Sequence, residues 1–299
     1  MRPSCGMPLT IRSDLVFCLV RRFELPFALT SQFKKRWGTV DGPHELGVTA
    51  RAFGLKGPRG WAFREVSFEA EPGSLIAVEG PSGSGRTCLL LALTGRMRAT
   101  EGSAEVGEWS LPKQLAAVRR ASALAHVPGV TDLEPALTVG EHLRERALLQ
   151  RRFGGSLRGL LRPRAEREAG TKLRVDTALT AAGLDLEALP KGSRTVVRDL
   201  ERLEALRLSV ALALVGRPWL LGVDDTDLKL SDAERAEMWT LLRSLTEAGT
   251  TVVAVCSEAP EGAVTVSTAL SAPPREQEPQ ENETHEKETV DALPETGRA

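Results

Sequence analysis

The chain is 299 residues long, has 41% hydrophobic residues, and carries a formal net charge of −1 at pH 7. This length allows one large domain or two modest ones, and the apolar content allows a packed core. The near-zero charge gives no indication of nucleic-acid binding. The four cysteines are not spaced as metal ligands, so we expect a protein of the reducing cytoplasm.

Residues 1–43 follow no regular period, and we expect a disordered extension or an over-long gene model there. The apolar run Leu15–Val20 is flanked by Asp14 and Glu24, and no small-residue cleavage site follows. We therefore expect no signal peptide. No apolar run approaches the roughly 18 residues that a membrane span requires.

Three short strands are predicted next, at Val48–Phe53, Ala62–Glu69 and Ser74–Gly80. The last of them is apolar and leads directly into a glycine-rich loop, which an apolar helix follows to about Met97. The loop consists of Gly80, Pro81, Ser82, Gly83, Ser84, Gly85, Arg86 and Thr87. Strand, loop and helix in this order predict a phosphate-binding loop, although a plain turn remains the alternative.

The chemistry of this loop indicates a nucleoside triphosphate with Mg²⁺. Glycines let backbone N–H groups turn inward toward a phosphate, and the N-terminus of the following helix attracts an anion. Thr87 is placed to bring its hydroxyl to Mg²⁺. Arg86 stands where such loops carry lysine, so the positive charge is kept, but we expect its planar head to crowd the β- and γ-phosphates.

Beyond the loop, a short strand is predicted over 101–112 and a buried strand over 122–128. A capping box at Thr138–Glu141 opens a helix that runs to about Phe153, and further helices are predicted at about 171–183 and 199–216. Between them, Arg151–Arg174 holds eight basic and two acidic residues. We expect either a solvated loop or a contact with anionic lipid or the cytoplasmic loops of a membrane partner.

A second apolar strand, Trp219–Val223, ends at Asp224 and Asp225. Asp224 is the candidate Mg²⁺ residue, with a loop carboxylate as the alternative, and Asp225 is the candidate general base. A capping box at Ser231–Glu234 then opens a helix that stops at Gly249, and the buried strand Thr251–Val255 follows. Apolar strands alternating with helices predict an α/β fold with a parallel sheet covered on both faces.

The C-terminal residues 271–299 contain eight acidic and three basic residues, a net charge of −5, and few large apolar groups. We expect an acidic disordered tail. Leu293–Gly297 matches a sortase anchoring pentapeptide. Only Arg298 and Ala299 follow it, so we do not expect anchoring.

In this order the segments resemble the ATP-binding subunit of ABC transporters over roughly residues 46–270. The resemblance rests on the loop Gly80–Thr87, on Leu137-Thr138-Val139 before a helix, and on Val210–Pro218 before the strand that ends at Asp224. It implies a P-loop NTPase fold of ABC type: a mainly parallel sheet with flanking helices, a small antiparallel β part and an inserted helical subdomain. The ATP-binding domain would span 44–270, with the helical subdomain at about 131–205.

The resemblance also implies ATP and Mg²⁺ as cofactors and a dimer of nucleotide-binding subunits. The partner would be a separately encoded integral-membrane permease subunit, which would hold the protein at the inner face of the cell membrane. No nucleic-acid partner is implied. A P-loop kinase is disfavoured, because no second phosphate-acceptor motif is present.

Several positions depart from the family pattern. They are Gly129 in place of a glutamine, Leu200-Glu201-Arg202-Leu203-Glu204 in place of the Leu-Ser-Gly-Gly-Gln signature, Asp225 in place of the catalytic glutamate, and Ser257 in place of the switch histidine. The chain has no tyrosine to stack on adenine, unless Trp61 substitutes. Carboxylates in the signature would repel a nucleotide, although these glutamates also suit an exposed helical face. We expect slow hydrolysis, with a catalytically inactive pseudo-ATPase scaffold or regulator as the alternative.

Overall fold

A computed structural model describes residues 46–153 and 163–268. The predicted extension, the acidic tail and the sortase-like pentapeptide lie outside the described residues. The strands are β1 Val48–Gly57, β2 Gly60–Ala70, β3 Leu75–Glu79, β4 Glu101–Val106, β5 Trp109–Leu111, β6 Ser122–Leu124, β7 Leu220–Val223, β8 Thr251–Val255 and β9 Val264–Ser267. The helices are α1 Arg86–Leu93, α2 Leu115–Ala121, α3 Val139–Phe153, α4 Arg164–Ala181, α5 Arg202–Leu214 and α6 Asp232–Glu247.

The strands form two sheets. The first is antiparallel, in the order β2-β1-β4-β5. The second, in the order β6-β7-β8-β3-β9, is parallel in all four of its strand pairs. The predicted α/β fold, with a parallel sheet and a smaller antiparallel part, is confirmed.

Helices and the antiparallel sheet cover the two faces of the parallel sheet. Successive side chains of a strand point to opposite faces. In β3, Leu75 and Ala77 therefore pack into one core with buried residues of α3, α4, α5 and α6. Ile76 and Val78 pack into a second core with α1 and the antiparallel sheet. Burial on both faces explains why these strands are continuously apolar.

All the parallel strands end at one edge of their sheet, and the loops that follow them meet there. The glycine-rich loop follows β3, and Asp224 follows β7. Cys256 and Ser257 follow β8, and His126 lies just beyond β6. In open α/β sheets, ligands bind outside the carboxyl ends of the strands, so this edge is where a site is expected.

Several elements differ from the predictions in extent. The single strand predicted over 101–112 is two strands, β4 and β5, because Gly107 lies in a turn at φ +57°. The helix predicted at about 171–183 begins earlier, at Arg164, so the second half of the basic stretch is helical and not a loop. Helix α2 and strand β9 were not predicted, since both are short and lack a strong periodic pattern. None of the described helices is long and apolar enough to cross a membrane.

Candidate functional site

The glycine-rich loop brings backbone donors to the start of α1. The first intrahelical bond runs from the Leu89 N–H to the Gly85 carbonyl at 2.8 Å, so the N–H groups of Arg86, Thr87 and Cys88 point out of the helix end. Gly85 lies at φ +84°, and a Cβ added there would be 1.9 Å from the Ala62 carbonyl oxygen in β2. Only glycine fits, and this close packing holds the donors in place.

Thr87 and Asp224 meet across the sheet edge. The Thr87 hydroxyl donates to the Asp224 carboxylate at 2.6 Å, and the Asp225 N–H donates to its other oxygen at 2.9 Å. Asp224 is only 2% exposed, and burial raises the pKa of its carboxyl while the Thr87 hydrogen bond opposes that shift. A buried carboxylate beside a hydroxyl is a donor set that fits Mg²⁺.

The protein alone supplies few ligands for such an ion. Among the described residues, no cluster of three or more histidine, cysteine, aspartate or glutamate side chains could hold a metal. A Mg²⁺ ion at Thr87 and Asp224 would therefore take its remaining ligands from phosphate oxygens and water, as this ion commonly does. The residues present fit a metal that arrives with a nucleotide.

Arg86 is tied to the end of the neighbouring strand. Its Nη1 donates to the Cys256 carbonyl oxygen at 2.6 Å, just after β8. Its charge also acts on Asp224, where it favours the ionised carboxylate. The guanidinium thus lies between the ends of β7 and β8 with part of its donor capacity already used, although four of its five N–H groups remain for other acceptors.

Asp225 presents its backbone to a neighbouring arginine. Its φ is +48°, a conformation that is uncommon for residues other than glycine. The Arg202 Nη2 approaches the Asp225 carbonyl oxygen at 3.4 Å, and the Arg202 Nε donates to the Leu228 carbonyl at 3.4 Å. Arg202 therefore contacts two carbonyl groups of the turn that carries Asp225, the candidate base.

The same arginine reaches His126, which sequence reasoning missed. Arg202 Nη2 lies 3.2 Å from the His126 Nε2. Burial, followed by the charge of Arg202, lowers the pKa of His126, so a neutral ring accepting at Nε2 fits this contact. The Arg202 side chain is half-buried against the turn after β7. Its position two residues after Leu200, where the family signature has glycine, was the available signal.

At the other positions that depart from the family pattern, backbone N–H groups donate to nearby carboxylates. The Gly129 N–H donates to the Asp132 carboxylate at 2.8 Å, and the Ser257 N–H donates to the Asp227 carboxylate at 2.7 Å. At the start of α5, the Glu204 carboxylate accepts from the Glu201 N–H at 2.9 Å. Each of these backbone N–H groups therefore already has a carboxylate acceptor.

Trp61 lies next to Ala62 in β2, on which the loop residue Gly85 packs. The Lys56 Nζ is 5.5 Å and the Arg64 Cζ 5.4 Å from the centroid of the indole ring. These distances are those of cation–π contacts. Trp61 thus neighbours in sequence the residue on which the loop packs, and two cations already lie against its ring.

The sequence of the chain is similar to those of known proteins. A family model described as ABC transporter matches residues 63–227. The chain is 30% identical to the ribose import ATP-binding protein RbsA 2 of Rubrobacter xylanophilus over 69% of its own length and 36% of that protein. It is also 30% identical to the Nod factor export ATP-binding protein I of Cupriavidus metallidurans, over 63% of its length and 55% of that protein. The chain thus spans about a third to a half of these relatives.

The fold has counterparts among solved structures. A dimeric, post-hydrolysis structure of the ATP-binding cassette MJ0796 bound to ADP and Pi superposes with a TM-score of 0.55 at 22% identity. The match covers 71% of this chain and 88% of the cassette. At this identity the likeness concerns the fold alone, which is that of an ATP-binding cassette.

Proposed function

The chain belongs to the ABC transporter family, and from this we propose that it is the nucleotide-binding subunit of an ABC-type membrane transporter. The contact between Thr87 and Asp224 carries the proposal, because it joins the phosphate loop to the strand-end carboxylate at 2.6 Å. Gly80–Thr87 would hold the phosphates of ATP through backbone donors and Arg86. Thr87 and Asp224 would hold Mg²⁺, which neutralises phosphate charge when bound.

Hydrolysis by this site is proposed to be slow. Asp225 is the candidate base, but its side chain is one methylene shorter than glutamate, and Ser257 carries a hydroxyl where the family has an imidazole. A base must come within about 3 Å of the proton that it removes. The alternative function is a catalytically inactive scaffold or regulator of a membrane complex, which the arrangement of Arg86 and Ser257 also suits.

The proposed partner is a separately encoded integral-membrane permease, with the protein in the cytoplasm at the inner face of the membrane. Relatives named as import and as export ATP-binding proteins both support a transport role and leave the direction open. A dimer of nucleotide-binding subunits is proposed by analogy with the dimeric cassette.

The nucleotide site is tested by substituting its cation. The wild-type chain should bind ATP–Mg²⁺ detectably, and Arg86→Lys should bind it about 3- to 10-fold more tightly, because the slimmer ammonium is not committed to the Cys256 carbonyl. Arg86→Met, which removes the charge, should bind more weakly than either. Isothermal calorimetry measures all three, and no binding by wild type or Arg86→Lys at millimolar ATP would overturn the nucleotide-binding proposal.

Membrane association should depend on the permease. If a permease holds the protein, association should survive high salt and disappear when the partner gene is deleted. If lipid charge holds it, recovery in the membrane fraction should fall steeply with salt, since surface charges are screened over about 8–10 Å at physiological ionic strength. Replacing each of Arg158, Arg162, Arg164 and Arg167 with serine should then release the protein from the membrane fraction. Protein that stays soluble in cells with its native gene neighbours would contradict both forms of membrane association.

A further inference from the structure

The strand end that holds Arg86 is rich in carboxylates. Arg86 Nη1 bonds the Cys256 carbonyl, and the next residue, Ser257, donates its N–H to the Asp227 carboxylate at 2.7 Å. Glu258 follows directly, and Glu79 is the last residue of β3, the strand that pairs with β8. Three carboxylates therefore surround the point where the loop cation is anchored.

The neighbouring strand end adds two more carboxylates. Asp224 is buried and bonded to Thr87, and Asp225 follows it in the chain. All of these groups except the exposed Glu258 are at least half-buried, so water and salt screen them less than they screen surface charges. The cations that contact these two strand ends in the described part of the chain are Arg86 and Arg202.

The pKa of the Cys256 thiol reflects these nearby negative charges. Its pKa is raised to about 12, mainly by burial and in part by the charges of Asp227 and Glu79. Arg86 acts in the opposite direction without cancelling them. A second anion placed at this strand end would meet the same repulsion.

If ATP binds at this loop, Arg86 would reach toward its β- and γ-phosphates, and Thr87 and Asp224 would hold a Mg²⁺ ion that neutralises phosphate charge. The loop N–H groups would then hold the α- and β-phosphates, and the terminal phosphate would lie on the side of Asp224, at the end of β7 beside β8. In this chain that region holds Asp225, Asp227 and Glu258 in addition to Asp224, the proposed Mg²⁺ ligand, and the cations that contact it are Arg86 and Arg202.

We infer that the site binds nucleoside diphosphates more tightly than nucleoside triphosphates, because the strand ends repel the terminal phosphate. The inference rests on the proposed function, since it concerns the specificity of the same site. A protein with this preference would hold the diphosphate as its resting ligand and would respond to triphosphate only when the diphosphate level falls.

The test compares two ligands on the full-length chain. Calorimetry with ADP and with the non-hydrolysable triphosphate AMP-PNP, at the same saturating Mg²⁺, should show the diphosphate binding about 10-fold more tightly, or about 1.4 kcal/mol. The double variant Asp227→Asn/Glu258→Gln should reduce this ratio toward unity by improving triphosphate binding, because an asparagine oxygen can still accept from the Ser257 N–H. Retained ADP binding shows that the variant is folded.

Glu247→Gln is the matched control. Glu247 is an exposed carboxylate at the end of α6, near the opposite end of β8, and its removal should leave the ratio unchanged. Triphosphate binding as tight as diphosphate binding would overturn the inference and leave the proposed nucleotide site standing. A ratio that the double variant does not change would overturn the assigned cause. Binding of neither ligand would overturn the proposed function itself.

Discussion

ATP turnover by the purified wild-type chain is expected to stay well below about 1 s⁻¹, the low end for typical enzymes. Asp225→Glu alone should recover little of the missing rate. The longer side chain reaches further, but the backbone at Asp225 lies at φ +48°, and Arg202 contacts its carbonyl. Displacing a catalytic group by about 1 Å can cost on the order of 10²-fold in rate.

The remaining positions would still limit the variant. Ser257 has its N–H bonded to Asp227, and Gly129 has no side chain to position water or metal. Because these groups act on one transition state, restoring one does not restore the others. Phosphate release at saturating ATP and Mg²⁺ measures the effect, with Asp225→Asn as the isosteric control. Several turnovers per second by wild type would show that other residues carry out the chemistry.

Gly85→Ala should destabilise the fold by about 3 kcal/mol or more and abolish nucleotide binding. The substitution forces a non-glycine residue into φ +84°, and its Cβ would meet the Ala62 carbonyl oxygen at 1.9 Å. Left-handed backbone at a non-glycine residue costs about 1–3 kcal/mol, and overpacking typically adds 1–3 kcal/mol. The loop must then move away from β2 and carry the donors of α1 with it.

Gly83→Ala separates the cost of the left-handed backbone from the cost of the clash with the Ala62 carbonyl. Gly83 has a similar φ of +81°, but no atom lies within 4 Å of a Cβ built there. Gly83→Ala should therefore lower the free energy of unfolding by only about 1–2 kcal/mol, the cost of left-handed backbone at a residue other than glycine. Urea unfolding monitored by circular dichroism measures both variants without nucleotide. Equal losses at the two positions would show that the contact with Ala62 does not constrain the loop.

The parallel sheet and its carboxyl edge were predictable because they depend on local patterns. Apolar runs such as Thr251–Val255, bounded by glycine and capping residues, indicate buried strands whatever their partners are. The order strand, glycine loop, helix likewise placed Gly80–Thr87 at a strand end. The seven-residue helix α2 and the four-residue strand β9 were missed, since elements this short carry too weak a pattern.

The pairing of Thr87 with Asp224 could be expected from the sequence, because both residues follow strands whose carboxyl ends share one sheet edge. Arg86, Arg202 and His126 could not be placed in this way. Long side chains choose their acceptors among groups that only the folded chain brings near, here the Cys256 carbonyl, the Asp225 carbonyl and each other.

The sequence by itself thus determined the fold class, the family resemblance and the strand end at which each candidate residue lies. Only the tertiary structure decided that Arg86 is bonded to the end of β8 and that Asp227 holds the Ser257 N–H. The physical reason is how far apart in the chain the interacting residues lie. Strand and loop patterns follow from neighbouring residues, whereas hydrogen bonds at the site join residues far apart in the chain, 30 positions for Asp227 and Ser257 and 170 for Arg86 and Cys256.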